Sequence, residues 1–366
     1  MKKRVLHVSP GGLPPGGVGS VVLSIAKQLH TEFDFHFVVF NREHEYEKNF
    51  EQYGTMHRIS CYPKKGKRSY LELFLRPFKL YFGIKSICKK QSFDVIHCHN
   101  QHDCVPCLLA AKHLKIPVRI SHAHVGNDQR KRFLPEKIFK KILLKQIKKV
   151  STLRIACSQN AGDLLFGKES FVLVPNGIDL MRFCRSENRV STAYSFVHIG
   201  RYTYAKNQEF VLETFALLFQ KLDFVHLYLV GYGDSIEVER LTTLINKLGI
   251  EQRVEMIPGD KIDVVNFYDA ADYMIFPSRF EGFPVTLMEA QAMGIQCYVS
   301  ENITHEVDVG LLTFLNLAEG PKAWAERIFS DIQNGTKKVL DTDKLLKYSN
   351  EYICRQYSDI YNGKQK

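Results

Sequence analysis

Short apolar runs alternate with longer amphipathic runs along the whole chain. Arg4–Val8, Phe35–Phe40, Asp94–His97, Val118–Ser121 and Leu153–Ala156 predict strands, and Val18–Leu29 predicts a helix after the first of them. These strand runs are apolar at most positions, not at every second one. Both of their faces must then be covered, which predicts a parallel sheet between helices. Residues 171–179, FVLVPNGID, read as a strand entering a turn-rich stretch. A second series follows, with strands expected at Ser195–Ile199, Val225–Leu229, Val254–Ile257, Tyr273–Phe276 and Gln296–Val299. There is no short tandem repeat. The pattern predicts two similar α/β domains joined near residues 174–190, with ligands at the C-terminal ends of the strands.

Bulk properties agree with that division. The chain has 366 residues, 45% of them hydrophobic, which suits two domains of roughly 150 to 190 residues. No run approaches the ~18 apolar residues of a membrane span. The opening MKKRVLHV is basic, but its apolar part is too short for a secretory signal and reads as a first strand. Nine scattered cysteines suggest free thiols in a reducing cytoplasm. Charge is uneven: residues 1–170 carry 30 Lys+Arg against 13 Asp+Glu, a balance of +17, and the remainder 20 against 26, a balance of −6. A basic first half implies an anionic neighbour, whether nucleic acid, a phosphorylated substrate or a lipid surface. No nucleic-acid module is recognisable, so nucleic acid is the disfavoured choice.

Three strand-to-helix loops hold candidate chemistry. SPGGLPPGGVGS follows the first strand, where glycines let a backbone approach a phosphate or sugar at a helix N-terminus, or simply form a turn. It is not a dinucleotide fingerprint: the third glycine is missing and no acid ends the second strand, which argues against an NAD-dependent oxidoreductase. HIGRYTYAKNQE places Arg201 and Lys206 after a strand, suited to a diphosphate or to solvent. FPSRFEGFPVTLMEAQAMG puts Glu281 in a loop and Glu289 inside the following helix, with seven residues between them and Gly294 ending the helix. Each carboxylate can accept from a hydroxyl pair of a sugar or ribose, or can be an ordinary helix charge.

That last stretch resembles the E-x7-E motif of the retaining GT-B glycosyltransferases of family 4. The resemblance extends over the N-terminal glycine loop, DVIHCHN, VPNGID, HIGRYTYAKNQE and LVGYGD, in that order. It is most similar to bacterial enzymes of capsule and exopolysaccharide assembly. The resemblance implies a GT-B fold, two Rossmann-like domains with parallel sheets facing across a deep cleft. Residues 1–173 would form the acceptor domain and 174–345 the nucleotide-sugar domain, with a C-terminal helix around 346–362 packing back on the first. It implies a hexose or N-acetylhexosamine transferred from a nucleotide sugar, UDP-linked, to a lipid-diphosphate-linked sugar. Glu281 would contact the donor sugar and Glu289 the ribose. Arg201 and Lys206 would neutralise the departing diphosphate in place of a metal. Gly16, Gly17, Gly282, Phe283, Val285, Thr286 and Leu287 would complete the donor site. Pro284 departs from the family's usual glycine and removes one N–H.

Among the histidines, the resemblance implies one near the reacting centre. His122 is preferred, His124 is the alternative, and His99 and His124 are acceptor-side candidates. His97, His99 and His102 with Cys104 and Cys107 have no established zinc spacing, and neither CVPC nor Asp341–Asp343 reads as a metal or redox site, so no cofactor is expected. Two basic, aromatic stretches, 64–90 and 129–149, read either as solvated Rossmann helices or as a face that docks on an anionic inner membrane leaflet. The second reading makes the protein peripheral at the cytoplasmic side of the plasma membrane. Two other functions fit the same donor grip: a sugar-nucleotide epimerase without a lipid acceptor, and a nucleotide-sugar-binding protein without catalysis.

Overall fold

The structure, a computed structural model, describes residues 1–9, 12–13, 17–40, 45–60, 70–99, 103–124, 142, 144–185, 194–259 and 262–364. They form two compact units: Met1–Gly177 with Asn350–Lys366, and Ile178–Ser349.

In the first unit the strands are β1 (Lys3–Val8), β2 (Phe33–Phe40), β3 (Gly54–Ile59), β4 (Val95–His99), β5 (Val118–Ala123), β6 (Leu153–Ala156) and β7 (Val172–Leu173). All pair in parallel in the order β3-β2-β1-β4-β5-β6-β7. The order reverses direction between β1 and β4, which is where an open α/β sheet leaves room for a ligand. Successive side chains point to opposite faces. Val5, Val95 and Ile120 join one apolar cluster with the helix Gly17–Leu29, whereas Leu6, Ile96 and Cys98 join another on the opposite face.

The helix Asn350–Asn362 belongs to this first unit. It buries Ile353, Cys354, Tyr357, Ile360 and Tyr361, a stripe at helical spacing, in the same cluster as Val5 and Val95.

In the second unit the strands are β8 (Tyr194–Ile199), β9 (Val225–Gly231), β10 (Val254–Pro258), β11 (Tyr273–Phe276), β12 (Gln296–Ser300) and β13 (Leu312–Leu315). They pair in parallel in the order β10-β9-β8-β11-β12-β13, and here the reversal falls between β8 and β11. The helices Gln208–Phe219 and Gly320–Gln333 cover one face around Phe215 and the fully buried Trp324. Gly231 is required at the end of β9, because a Cβ there would sit 2.1 Å from the carbonyl oxygen of Gly200.

Two strands have no counterpart in the predicted series. GTMHRI of β3 is a half-exposed edge strand whose adjacent polar residues His57 and Arg58 break the alternation that would mark it. LTFL of β13 is short and also lies at a sheet edge.

Candidate active site

The second unit gathers its charged residues just beyond β8 and β11. The loop after β8 passes through Asn207, whose backbone is left-handed at φ 59°. Asn207 Nδ2 donates to the Pro277 carbonyl (3.2 Å), and its Oδ1 accepts from Arg279 Nη2 (2.6 Å). Arg279 also donates from Nε to the Tyr204 carbonyl, and its backbone N–H donates to the Ala205 carbonyl. Gln208 holds the start of the loop by donating to the Arg201 carbonyl (2.9 Å). These links tie residues 201–208 to residues 277–279 across the switch point.

The result is that Lys206 Nζ lies 2.7 Å from Glu281 Oε1, with both side chains less than a fifth exposed. The approach is close but off the line of a hydrogen bond, so Glu281 Oε1 remains without a hydrogen-bond donor. Lys206 also sits over the Phe276 ring, 4.7 Å from its centroid. Arg201 is exposed, in the same loop as Lys206. Two buried hydroxyls, Ser278 Oγ and Thr286 Oγ1, have no protein partner among the described residues. Unpartnered buried polar atoms of this kind mark a place where a polar ligand can be held.

Glu289 lies in the helix Val285–Ala292 and accepts a hydrogen bond from the Tyr268 hydroxyl at 2.9 Å. Burial pushes its carboxyl above the ordinary glutamate range, against the pull of Tyr268, Arg182 and Lys206. Glu289 is therefore a partly buried, hydrogen-bonded carboxylate, not a fully solvated helix charge. Pro284 caps the helix and its carbonyl takes the N–H of Leu287 (3.0 Å), while the Leu287 side chain is fully buried. Leu287 is thus a packing residue of the loop. Phe283 is buried and packs near the ring of Tyr348 (5.8 Å), and Gly282, Val285 and Thr286 are partly exposed. Tyr268, Asn207 and Arg279 are absent from the sequence reading. Each acts through a partner more than 20 residues away in the chain, or by a backbone conformation, and no local motif marks them.

In the first unit Gly17 begins its helix with φ 52°, and Gly16 lies outside the described residues. His97 and His99 of β4, His122 of β5 and His7 of β1 all stand on the sheet face that carries Val5, Val95 and Ile120, two residues apart along their strands. His122 is inside β5, not beyond it, and is fully buried. His99 Nδ1 faces His124 Nε2 at 3.0 Å, and His97 Nε2 faces His122 Nδ1 at 3.1 Å. His102 lies outside the described residues. Cys104 and Cys107 are on the other side, in the apolar cluster with Cys98. The partners of His97 and His99 are therefore other histidines and, for His97 Nδ1, the Tyr361 hydroxyl (2.8 Å). The signal in the sequence was the repeated H-x-H at two strand ends.

Two histidine triads, His7–His97–His99 and His99–His122–His124, bring ring nitrogens within 4.8 Å of one another. Within them, ring nitrogens pair with one another at 2.9 Å for His7 and His99 and 3.0 Å for His99 and His124. His97 stacks on His99 with centroids 4.1 Å apart, and His122 is tilted by 38° against His124 at 3.8 Å. Asp341, for its part, caps the helix Thr342–Leu346 by accepting from Lys344 N–H.

Two Rossmann-like units with parallel sheets and polar chemistry at the strand C-terminal ends define the GT-B class of enzyme. Comparison with known proteins agrees. The description "Glycosyltransferase Family 4" matches residues 15–182, and "Glycosyl transferases group 1" matches residues 183–307. Bacillus subtilis EpsF, which carries the name of a glycosyltransferase, is 27% identical over 99% of this chain and 97% of its own. The Staphylococcus aureus capsular polysaccharide biosynthesis glycosyltransferase CapH is 22% identical over 99% of both. An Escherichia coli UDP-Gal:α-D-GlcNAc-diphosphoundecaprenol α-1,3-galactosyltransferase is 23% identical over 62% of each chain. Among solved structures, Anabaena HepE in complex with UDP superimposes with a TM-score of 0.78 at 18% identity, covering 99% of this chain and 100% of its own. The chain belongs to the GT-B glycosyltransferases of family 4. It is a glycosyltransferase, and the relatives do not favour an epimerase.

Proposed function

We propose that this glycosyltransferase moves a hexose or N-acetylhexosamine from a UDP-sugar to a lipid-diphosphate-linked glycan during polysaccharide assembly, with retention of configuration. The observation that carries the reading is the Lys206–Glu281 pair at the β8/β11 switch point. Lys206 and Arg201 provide fixed positive charge for a departing diphosphate, so no metal is needed there. Glu281 faces the sugar, and Glu289, held by Tyr268, accepts from the ribose hydroxyls. The bond from the anomeric carbon to phosphate breaks. A bond to the acceptor oxygen forms on the same face, and the acceptor's hydroxyl proton leaves with the diphosphate.

The acceptor is assigned to a membrane. The E. coli relative is named for a diphosphoundecaprenol acceptor. The helix Tyr70–Lys90 exposes Leu75, Phe78 and Phe82 at i, i+3 and i+7, beside the exposed Lys79, Lys89 and Lys90. That combination suits an anionic leaflet surface and supports a location at the inner face of the plasma membrane. Among the described residues no helix is long and apolar enough to cross a membrane.

The test is thermal protection by a panel of UDP-, GDP- and ADP-sugars, with and without EDTA, followed by product analysis with and without a polyprenyl-diphosphate sugar. A UDP-specific shift that survives EDTA, with product only when lipid is present, is expected. A ligand at 100 times its dissociation constant adds ~2.7 kcal/mol of stability. Protection by no nucleotide sugar, or a new sugar nucleotide formed without lipid, would overturn the proposal.

A further inference from the structure

Five histidines and one tyrosine of the first unit form a single hydrogen-bonded chain. His124 Nε2 meets His99 Nδ1 (3.0 Å), and His99 Nε2 meets His7 Nδ1 (2.9 Å). His7 Nε2 meets the Tyr361 hydroxyl (3.3 Å), which in turn meets His97 Nδ1 (2.8 Å). His97 Nε2 then meets His122 Nδ1 (3.1 Å). The far nitrogen of His122, Nε2, is buried and has no partner among the described residues. Tyr361 comes from the helix Asn350–Asn362, so the end of the chain completes a network begun by β1.

Burial holds all five imidazoles well below the ordinary histidine range, so they are uncharged near neutral pH. A neutral imidazole has one N–H and one bare nitrogen. Each link therefore needs one donor and one acceptor, and a mismatch sets two N–H groups or two lone pairs against each other at about 3 Å. If the buried Tyr361 hydroxyl is to donate within the chain and not leave its own hydrogen unpaired, only two matched states remain. In one, all five histidines carry hydrogen on Nε2, and His122 buries an N–H with nothing to receive it. In the other, all five carry it on Nδ1. The terminal N–H then belongs to the partly exposed His124, where water can accept it, and His122 keeps a bare Nε2. Orphaned buried N–H groups are the rarer defect, which selects the second state.

We propose that Tyr361 is a positioning residue: by accepting from His97 Nδ1–H and donating to His7 Nε2, it fixes the Nδ1–H tautomer of His97 and His122 and presents a bare His122 Nε2 to a hydroxyl of the substrate sugar. The sugar as ligand rests on the proposed function, whereas the tautomer pattern does not.

The test uses full-length protein with ¹⁵N-labelled histidine rings. Multiple-bond ¹H–¹⁵N spectra at pH 7.5 distinguish the Nδ1–H from the Nε2–H tautomer. Wild type is expected to show the buried histidines as Nδ1–H. Tyr361→Phe keeps the ring and removes the hydroxyl, and is expected to take His97 and His122 out of that pattern. It should lower kcat/KM about tenfold, the loss of one well-made hydrogen bond to substrate. Tyr357→Phe is the control, because Tyr357 shares the helix and burial but its hydroxyl has no partner among the described residues. Unchanged tautomers in Tyr361→Phe would overturn the inference. So would Nε2–H at His122 in wild type, an equal effect of Tyr357→Phe, or one equivalent of zinc retained through dialysis. The expected tautomers in a protein that transfers no sugar would count against the proposed function alone.

Discussion

Acidification should loosen the first unit before most carboxylates titrate. Four histidines, His7, His97, His99 and His122, are fully buried there. Burial lowers the His7 pKa to about 3 and the other three well below 6.5. In an unfolded chain the same groups titrate near 6.5. Between these values the unfolded state binds more protons, so stability is full above about pH 6.5 and is lost as pH falls. From pH 7 to pH 6 each such histidine costs about 0.7 kcal/mol, and four cost about 3 kcal/mol. That is a large part of the 5–15 kcal/mol typical of a domain. Aspartate and glutamate contribute little in this window because they titrate mostly near pH 4. The assay is amide hydrogen exchange corrected for the intrinsic rate at each pH. It compares β1, β4 and β5 with β8 and β9 of the second unit, where His198 is the fully buried histidine. A loss of about 3 kcal/mol of protection in the first unit, with under about 1 kcal/mol in the second, is expected. A loss below about 1 kcal/mol in the first unit would refute the reasoning, since the imidazoles would then take up protons without unfolding.

Other expectations concern the proposed site and surface. Tyr268→Phe removes the donor to Glu289 and should weaken UDP-sugar binding about tenfold in calorimetry, with the melting temperature changed by only a few degrees. Because burial raises the Glu289 pKa, its carboxylate form is lost at higher pH than that of an ordinary glutamate. Donor affinity should therefore fall from pH 7 to pH 5, and Glu289→Gln should bind weakly at both values; a wild-type affinity that is flat with pH would contradict this. Glu281→Gln should reduce transfer by about 10²- to 10³-fold with little change in folding, read by product formation and circular dichroism. Replacing Phe78 and Phe82 together by serine should lower co-sedimentation with anionic vesicles at least tenfold, given their half-exposed rings. High salt should weaken what binding remains.

The local pattern of the chain determined the two series of parallel strands. A strand buried on both faces must be apolar along its length, and such runs can be read one segment at a time. It failed at β3 and β13, where edge strands need less apolar surface and carry little local signal. Motif resemblance singled out Glu281 and Lys206 but said nothing of their meeting. Their contact depends on Asn207 and Arg279, which are 72 residues apart and joined only when β8 lies beside β11. The histidine chain depends even more on tertiary structure. His7, His97 and His122 share a face because the pairing register sets His7 beside His97 and His99 beside His122, and a slip of one residue would turn a strand's histidines to the other face. Tyr361 closes the network from 354 residues away from His7. Local sequence carries the conformational preference of each segment, whereas hydrogen-bond partners at this separation exist only after the sheet and its covering helix have been assembled.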